Sequence, residues 1–220
     1  MTRLALFDLD HTLIPFDSGM AWTRHLIAQG ALDAQAETRY LAFCHQYVEG
    51  TLDIHAMHRS VIAPMARFEP AQLQRWRDSF ALALRSRFSP ALRARVEQHR
   101  ASGDLCAIVT ATSRLVAEPF AQALAIEHLV ATEPVWVNGR PSGEIDGLPC
   151  FREHKVARVN GWLASQALPP LGHGGDSWFY SDSISDLALL QCVNNPVAVR
   201  PDPALREQCL ARGWAIIEET

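Results

Sequence analysis

Along the chain, short unbroken apolar runs alternate with stretches in which apolar residues recur every three or four positions. That change of period sets the expected architecture. Runs at 4–7, 105–109 and 177–180, with shorter ones near 128–131 and 197–199, predict strands covered on both faces, the usual form of parallel strands. Between 17 and 85 the period is helical throughout. Asp17-Ser18 forms an N-cap before a helix over 19–27 that Gly30 can close. Tyr40, Leu41, Cys44, Tyr47 and Val48 share a stripe ending at Gly50, and Asp53 caps a segment through Ile54, Met57, Val61 and Ile62 that Pro64 interrupts. Glu69-Pro70 then opens a helix with Leu73, Trp76, Phe80 and Leu84 on one stripe.

The remaining punctuation completes the plan. A helix follows Ser89-Pro90 to about Arg100, another carries Leu115, Val116, Phe120 and Leu124, and others begin near Phe151 and Pro203. Asn138-Gly139, between 134–137 and 142–145, is a hairpin signal, 172–175 reads as a loop, and 214–217 follows the last helix. Strands alternating with helices imply right-handed crossovers and an α/β fold with a doubly wound parallel sheet. The helical region inserted after the first strand has stripes that need partners, so the expected division is a core of 1–16 and 86–220 with a helical cap of 17–85.

Composition narrows the function classes. A length of 220 residues suits one core with a smaller insertion, and 48% apolar with 20% charged residues argues against disorder. A net charge of -4 leaves no basic footprint, so neither nucleic acid nor an anionic membrane is expected as a partner. The chain enters its first strand at once, with no room for a signal peptide, and no stretch is apolar for long enough to span a bilayer. Cys44, Cys106, Cys150, Cys192 and Cys209 are odd in number and form no CxxC pair, which points to reduced thiols and a cytoplasmic location.

The chemistry gathers at strand exits, where open α/β sheets bind ligands. Asp8 and Asp10 end the first run, with Thr12 two positions further on; if the chain stays extended, these side chains share one side. The other reading is a polar turn in which Asp10 caps a neighbouring element. Thr110-Ala111-Thr112 leaves the second run, Asp182 and Asp186 leave the third, and Lys155, the only lysine in the chain, adds a cation from a crossover helix.

In order, DLDHT, VTATS, the lysine and SDSISD resemble the four motifs of the haloacid dehalogenase superfamily of phosphatases and phosphotransferases, over essentially the whole chain. The large helical insertion resembles the cap of its phosphoserine phosphatase-like branch. Around Thr112 and Cys150 the chain is most similar to that branch's broadly named bacterial hydrolases, some of them histidinol-phosphatases. The resemblance implies a Rossmann-like core and hydrolysis of a small phosphorylated metabolite. Asp8 would be the nucleophile and Asp10 the acid and base, while Thr110 and Lys155 hold the phosphate. Mg2+ would be bound by Asp8, Asp182 and the Asp10 carbonyl, with Asp186 orienting Lys155 or reaching the metal through water. The residue types fit that chemistry, because an anionic nucleophile attacking an anionic phosphate needs a cation, and magnesium prefers oxygen ligands.

Substrate reading falls to Asp17, Ala111 and Thr112. In phosphoserine phosphatases an acid at the position of Asp17 contacts the substrate ammonium; here it either does so or only caps a helix. Ala111-Thr112 stands where those enzymes favour two glycines, a departure that separates this chain from phosphoserine itself. Two other outcomes share the motifs: a phosphotransferase or mutase of the same fold, and a signalling receiver whose acyl phosphate persists. Asp10 and the cap favour turnover, and a halide-releasing dehalogenase would need neither Asp10 nor a metal. His55 and His58 lack further ligands for a metal, Cys150 reads as a packed thiol, and 172–175 lacks the setting of a P-loop.

Overall fold

The computed structural model describes residues 2–84 and 87–218. In chain order the elements are β1 (Leu4–Phe7), α1 (Ser18–Ala28), α2 (Gln35–Val48), α3 (Ile54–Ile62), α4 (Pro70–Leu84), α5 (Pro90–Ala101), β2 (Leu105–Ser113), α6 (Arg114–Ala123), β3 (His128–Thr132), β4 (Pro134–Val137), β5 (Arg140–Ile145), α7 (His154–Ser165), β6 (Ser177–Ser181), α8 (Leu187–Leu190), β7 (Asn195–Val199), α9 (Pro203–Arg212) and β8 (Ala215–Ile217). Six strands form one sheet in the order β3-β2-β1-β6-β7-β8, every neighbouring pair parallel. A central β1 places the first pair of acids in the middle of the sheet's carboxyl edge, as the doubly wound plan requires.

Side-chain alternation divides the core into two layers. From β1, Ala5 and Phe7 join α1, α4, α5 and α6 on one face, whereas Leu4 and Leu6 join α7, α8 and α9 on the other. The inserted helices are therefore unequal. Trp22 of α1 and the stripe Leu73, Trp76, Phe80 and Leu84 of α4 share the core's own apolar cluster, with Phe80 edge-on to Phe120 of α6. The stripe of α2 does not follow them: Leu41, Tyr47 and Val48 stay exposed, and its Phe43, Cys44, Tyr47 and Val48 line a cavity. The expected boundary between 85 and 86 lies outside the described residues.

Caps and turns sit where polar side chains supply them. Asp17, Asp53, Ser89 and Asp202 each accept a backbone N–H at the start of a helix, and a 3-10 turn over Ala63–Arg67 follows α3 at Pro64. Asn138 and Gly139, at φ 50° and 73°, turn the antiparallel hairpin β4-β5. This hairpin docks on the insertion: Gly143, at φ 92°, comes so close to Ala63 that a Cβ would lie 2.7 Å from the alanine methyl. Two boundaries differ from the sequence pattern. The helix expected near Phe151 begins at His154, because Arg152 takes a left-handed φ of 50° that no helix continues. The second apolar run is followed by further extended chain, because pairing with β3 resumes at Ser113 and Thr132 after an irregularity.

Candidate active site

The chain leaves β1 at Asp8 in extended conformation, remains extended at Asp10 (φ -68°, ψ 134°) and turns sharply at His11 (φ 54°). Asp8 accepts from Lys155 Nζ at 2.8 Å. The same ammonium donates to Asp186 Oδ2 at 2.8 Å, and Lys155 is only 3% exposed. Burial alone would lower the Lys155 pKa, but Asp186 and Asp8 hold it well above the ordinary value. An ammonium has three N–H groups, so one is left for a ligand. Asp186 is fixed from behind by the Ser181 hydroxyl at 2.7 Å.

Asp10 is held differently. Its Oδ1 accepts the backbone N–H of Ser18 at 2.5 Å, and its Oδ2 accepts the Thr112 hydroxyl at 2.8 Å, which itself lies 2.9 Å from the Ser18 hydroxyl. Asp10 thus stands at a strand exit and also caps α1; both sequence readings describe the same residue. Thr110 is buried, and its hydroxyl accepts from the Thr112 N–H at 3.1 Å, which leaves its own proton to give. On the opposite side, Thr12 donates to Asp182 Oδ1 at 3.0 Å.

These groups meet in one cavity of about 320 Å3. Asp8, Asp10, Asp17, Thr110, Ala111, Thr112, Lys155, Asp182 and Asp186 all line it, so every sequence-derived candidate is brought together. The same cavity is lined by Phe43, Tyr47, Val48, Leu52, Ile54 and Met57 of the insertion, and by Phe151 just before Lys155's helix. The sequence signals did not reveal Ser18, Tyr40 or Tyr47. Ser18 could have been read as a second hydroxyl at the helix start. The tyrosines carried only an amphipathic stripe, which says nothing about which phenol finds a partner. Tyr40 donates to Asp17 Oδ1 at 2.7 Å, packed where a Cβ on Gly19 would overlap its ring. Tyr47 lies 2.6 Å from the Ser183 hydroxyl and 2.8 Å from that of Ser185, tying α2 to the β6 exit.

The charge balance bears on a metal. Asp8, Asp10 and Asp182 are each pushed up to about 7, chiefly by burial and further by neighbouring carboxylates. Asp186 Oδ1 is buried without a hydrogen-bond donor, although Lys155 Nζ is 2.8 Å away in an unfavourable direction. One ammonium does not neutralise Asp8, Asp182 and Asp186 together. Among the described residues, no three His, Cys, Asp or Glu side chains surround one point closely enough to bind a metal by themselves. Two hard carboxylates beside a strand-exit carbonyl nevertheless fit a cation such as Mg2+, which keeps waters and takes substrate oxygens as ligands. Of the rival candidates, His58 and Cys150 are engaged elsewhere. His58 spends its ring nitrogens on Gly143 O at 2.7 Å and the Ser113 hydroxyl at 3.2 Å, and burial pushes the Cys150 thiol up to about 12.

The model of the haloacid dehalogenase-like hydrolases matches residues 5–191. A histidinol-phosphatase of Neisseria meningitidis is 36% identical over 99% of both chains. A protein of unknown function from Bordetella pertussis Tohama I superposes with a TM-score of 0.91 at 42% identity over 99% of both chains. A substrate-bound phosphoserine phosphatase superposes at a TM-score of 0.68, covering all of this chain and 94% of its own, and at 14% identity that likeness concerns the fold alone.

Proposed function

The chain belongs to the haloacid dehalogenase-like hydrolases and is a phosphatase of that family; from this premise we propose that it cleaves a small phosphorylated amine through an aspartyl-phosphate on Asp8. The observation that carries the reading is the meeting of Asp8, Asp10, Lys155 and Asp182 in one cavity at the exit of the central strand. Asp8 attacks phosphorus as a carboxylate, and the bond to the leaving oxygen breaks as Asp10 protonates that oxygen. Asp10, now a base, takes a proton from water, which attacks the phosphorus of the acyl phosphate and releases phosphate and Asp8. A group near pKa 7 is matched to both transfers, and the Thr112 and Ser18 donors keep its carboxyl aimed. Thr110 and the third N–H of Lys155 bind phosphate oxygens, and Asp186 holds Lys155 in place.

Asp8, Asp182 and the carbonyl of Asp10 would hold Mg2+, with Asp186 reaching it directly or through water. When bound, the metal neutralises charge on phosphate and keeps the Asp8 carboxyl ionised. Asp17 lines the cavity with Oδ2 unengaged among the described residues, and so reads a substrate amine while its Oδ1 caps α1. Histidinol phosphate, named by one relative, and phosphoserine both carry such an amine. The division into a core of 1–16 and 86–220 and a cap of 17–85 belongs to the same proposal, α2 and α3 forming the roof of the site. Five unpaired thiols fit a reducing cytoplasm, and no described helix is long and apolar enough to cross a membrane. Turnover rather than a lasting phospho-adduct is favoured by Asp10 lining the same cavity as Asp8, where it can serve as base. Release of inorganic phosphate from phosphomonoesters, stopped by EDTA and restored by Mg2+, is the expected result; a stoichiometric, stable adduct would assign the chain to signalling instead.

A further inference from the structure

Behind the acids, the sheet's carboxyl edge carries a brace that the proposed chemistry leaves without a role. Past β7 the chain runs through Arg200, Pro201 and Asp202 before α9 begins, and this short loop reaches both exits that carry the acids. Arg200 Nη2 donates to the His11 carbonyl at 2.6 Å, and the Asp202 N–H donates to the Asp182 carbonyl at 2.8 Å. Asp202 Oδ2 also accepts the Ile184 N–H at 2.7 Å, while the Arg200 N–H donates to Ile217 O at 2.7 Å and ties the loop to β8. Arg200 itself does not line the cavity.

The contact between Arg200 and His11 joins two residues in unfavourable backbone conformations. Arg200 has φ 45° directly before Pro201, a setting that its own side chain and the proline both disfavour. Its Nε is buried without a hydrogen-bond partner among the described residues. Strain of this kind persists only where the surroundings over-determine it, and it gathers at functional sites. What His11 sets is the peptide before it. Asp10 (φ -68°, ψ 134°) and His11 (φ 54°, ψ -2°) have the dihedrals of a type II turn, in which the peptide between them is turned over relative to type I. The His11 N–H is spent on Phe16 O at 3.4 Å, so the Asp10 carbonyl, across the same trans peptide, points away from Phe16. Relaxation of His11 to a negative φ would swing that carbonyl off its present direction.

We infer that Arg200 is a positioning residue for the metal: by holding His11 left-handed through its carbonyl, it fixes the direction in which the Asp10 carbonyl is presented to Mg2+. Asp202, in the same loop, steadies the backbone of Asp182 on the other side. This rests on the reading in which Asp8, Asp182 and the Asp10 carbonyl hold Mg2+, and it goes past that reading by assigning metal affinity to a loop that lends no ligand.

The test reads Mg2+ affinity without turnover, from the rise of melting temperature with Mg2+ concentration and from Mg2+ displacing Mn2+ in electron paramagnetic resonance. The Mg2+ dependence of phosphate release is measured beside it. Arg200→Met keeps the aliphatic stem and removes the donors. Mg2+ affinity should fall about 10–100-fold, the usual loss when an outer partner of a metal ligand is removed, while kcat at saturating Mg2+ stays within a few-fold of wild type. The sign separates this role from the alternatives. Removing a cation near a metal site would by charge alone tighten Mg2+ binding, and a merely structural role would lower the metal-free melting temperature and leave the affinity unmoved. Arg200→Gly, whose backbone takes a positive φ at no steric cost, should weaken Mg2+ to the same extent and serves where the Met variant does not fold. In a His11→Gly background the turn no longer needs the clamp, so loss of the Arg200 side chain should cost much less affinity. Unchanged or tighter Mg2+ binding in a folded Arg200 variant, or an equal loss in both backgrounds, overturns the inference and leaves the metal reading standing. Wild-type protein that binds no Mg2+ by either readout overturns both.

Discussion

At the scale of single residues, Asp8 and Asp10 sit two positions apart in sequence and are held by unrelated partners. Asp8 faces an ammonium, which favours its charged form, and Asp10 is aimed by a backbone N–H and a hydroxyl. The two substitutions should therefore fail differently. Asp8→Asn removes the nucleophile and should abolish turnover with the melting temperature kept within a few degrees. Asp10→Asn should lower kcat by about 10²–10⁴, the usual contribution of general acid–base catalysis, and slow loss of the acyl phosphate. Wild-type rates in a deamidation-free Asp8→Asn protein would remove Asp8 from the chemistry.

Away from the site, Asp104 anchors the opposite end of the sheet. It accepts from His99 Nδ1 at 2.7 Å and Arg3 Nε at 2.6 Å, and the Tyr180 hydroxyl meets the other nitrogen of His99 at 2.8 Å. Burial would raise the Asp104 carboxyl, but the hydrogen bonds from His99 and Arg3 hold it below the usual range. Because the folded state binds this proton more weakly than the unfolded one, the stabilisation is complete above the unfolded pKa of about 3.9 and is lost as pH falls through the lower folded value. Asp104→Asn should cost about 1–3 kcal/mol near neutrality and flatten the acid limb of the stability curve, read by denaturant titration at several pH values.

At the scale of elements, the roof of the site is α2 and α3, with the β4-β5 hairpin docked beside α3. Tyr47 is its latch to the core, joined by Arg152, which donates to Gly50 O at 2.9 Å. Tyr47→Phe keeps the ring and removes the hydroxyl. Loss of hydrogen bonds worth about 0.5–1.5 kcal/mol should speed amide exchange in α2 and lower kcat/KM up to about tenfold, with α4 unaffected. Equal exchange in both proteins would show that the latch holds nothing.

The elements also mark how far the sequence could be read. The site was legible because several polar strand exits and one lysine occur in order along the chain, whereas Asp8 and Asp10 alone read equally well as a polar turn. Asp17, Asp53 and Ser89 announced their helices as caps. The fate of the helical stripes was not legible. Those of α2 and α4 have the same period, yet Trp76 and Phe80 enter the core whereas Phe43 and Tyr47 face a cavity. Periodicity gives a face and no partner, so the insertion's split between platform and roof needs the tertiary structure. Likewise, Asn138-Gly139 announced a hairpin without saying that it would lean on Ala63, and the short α8 was absorbed into the polar exit before it. The Ser18–Thr112–Asp10 chain joins residues 94 and 102 positions apart, a juxtaposition that no local pattern encodes.

At the scale of the whole molecule, the cavity concentrates negative charge that the fold alone does not balance. Raised carboxyls at Asp8, Asp10 and Asp182 mean that the folded, metal-free chain binds protons more tightly than the unfolded one. Their contribution to stability is fully present below about pH 4 and declines as pH rises through about 7. Metal-free protein should therefore lose stability from these groups between those limits, and Mg2+ should raise the melting temperature more at pH 8 than at pH 5. A magnesium effect of the same size at both pH values would separate the ion from these carboxylates.

The central claim is that phosphate passes through Asp8, and trapping the acyl phosphate tests it most directly. Enzyme turning over a phosphomonoester with Mg2+ is quenched in acid within milliseconds, reduced with borohydride and mapped by peptide mass spectrometry. The expected product is homoserine at position 8 alone, absent without Mg2+ and enriched in Asp10→Asn. Rapid turnover with reduction at another carboxylate, or at none, would contradict it.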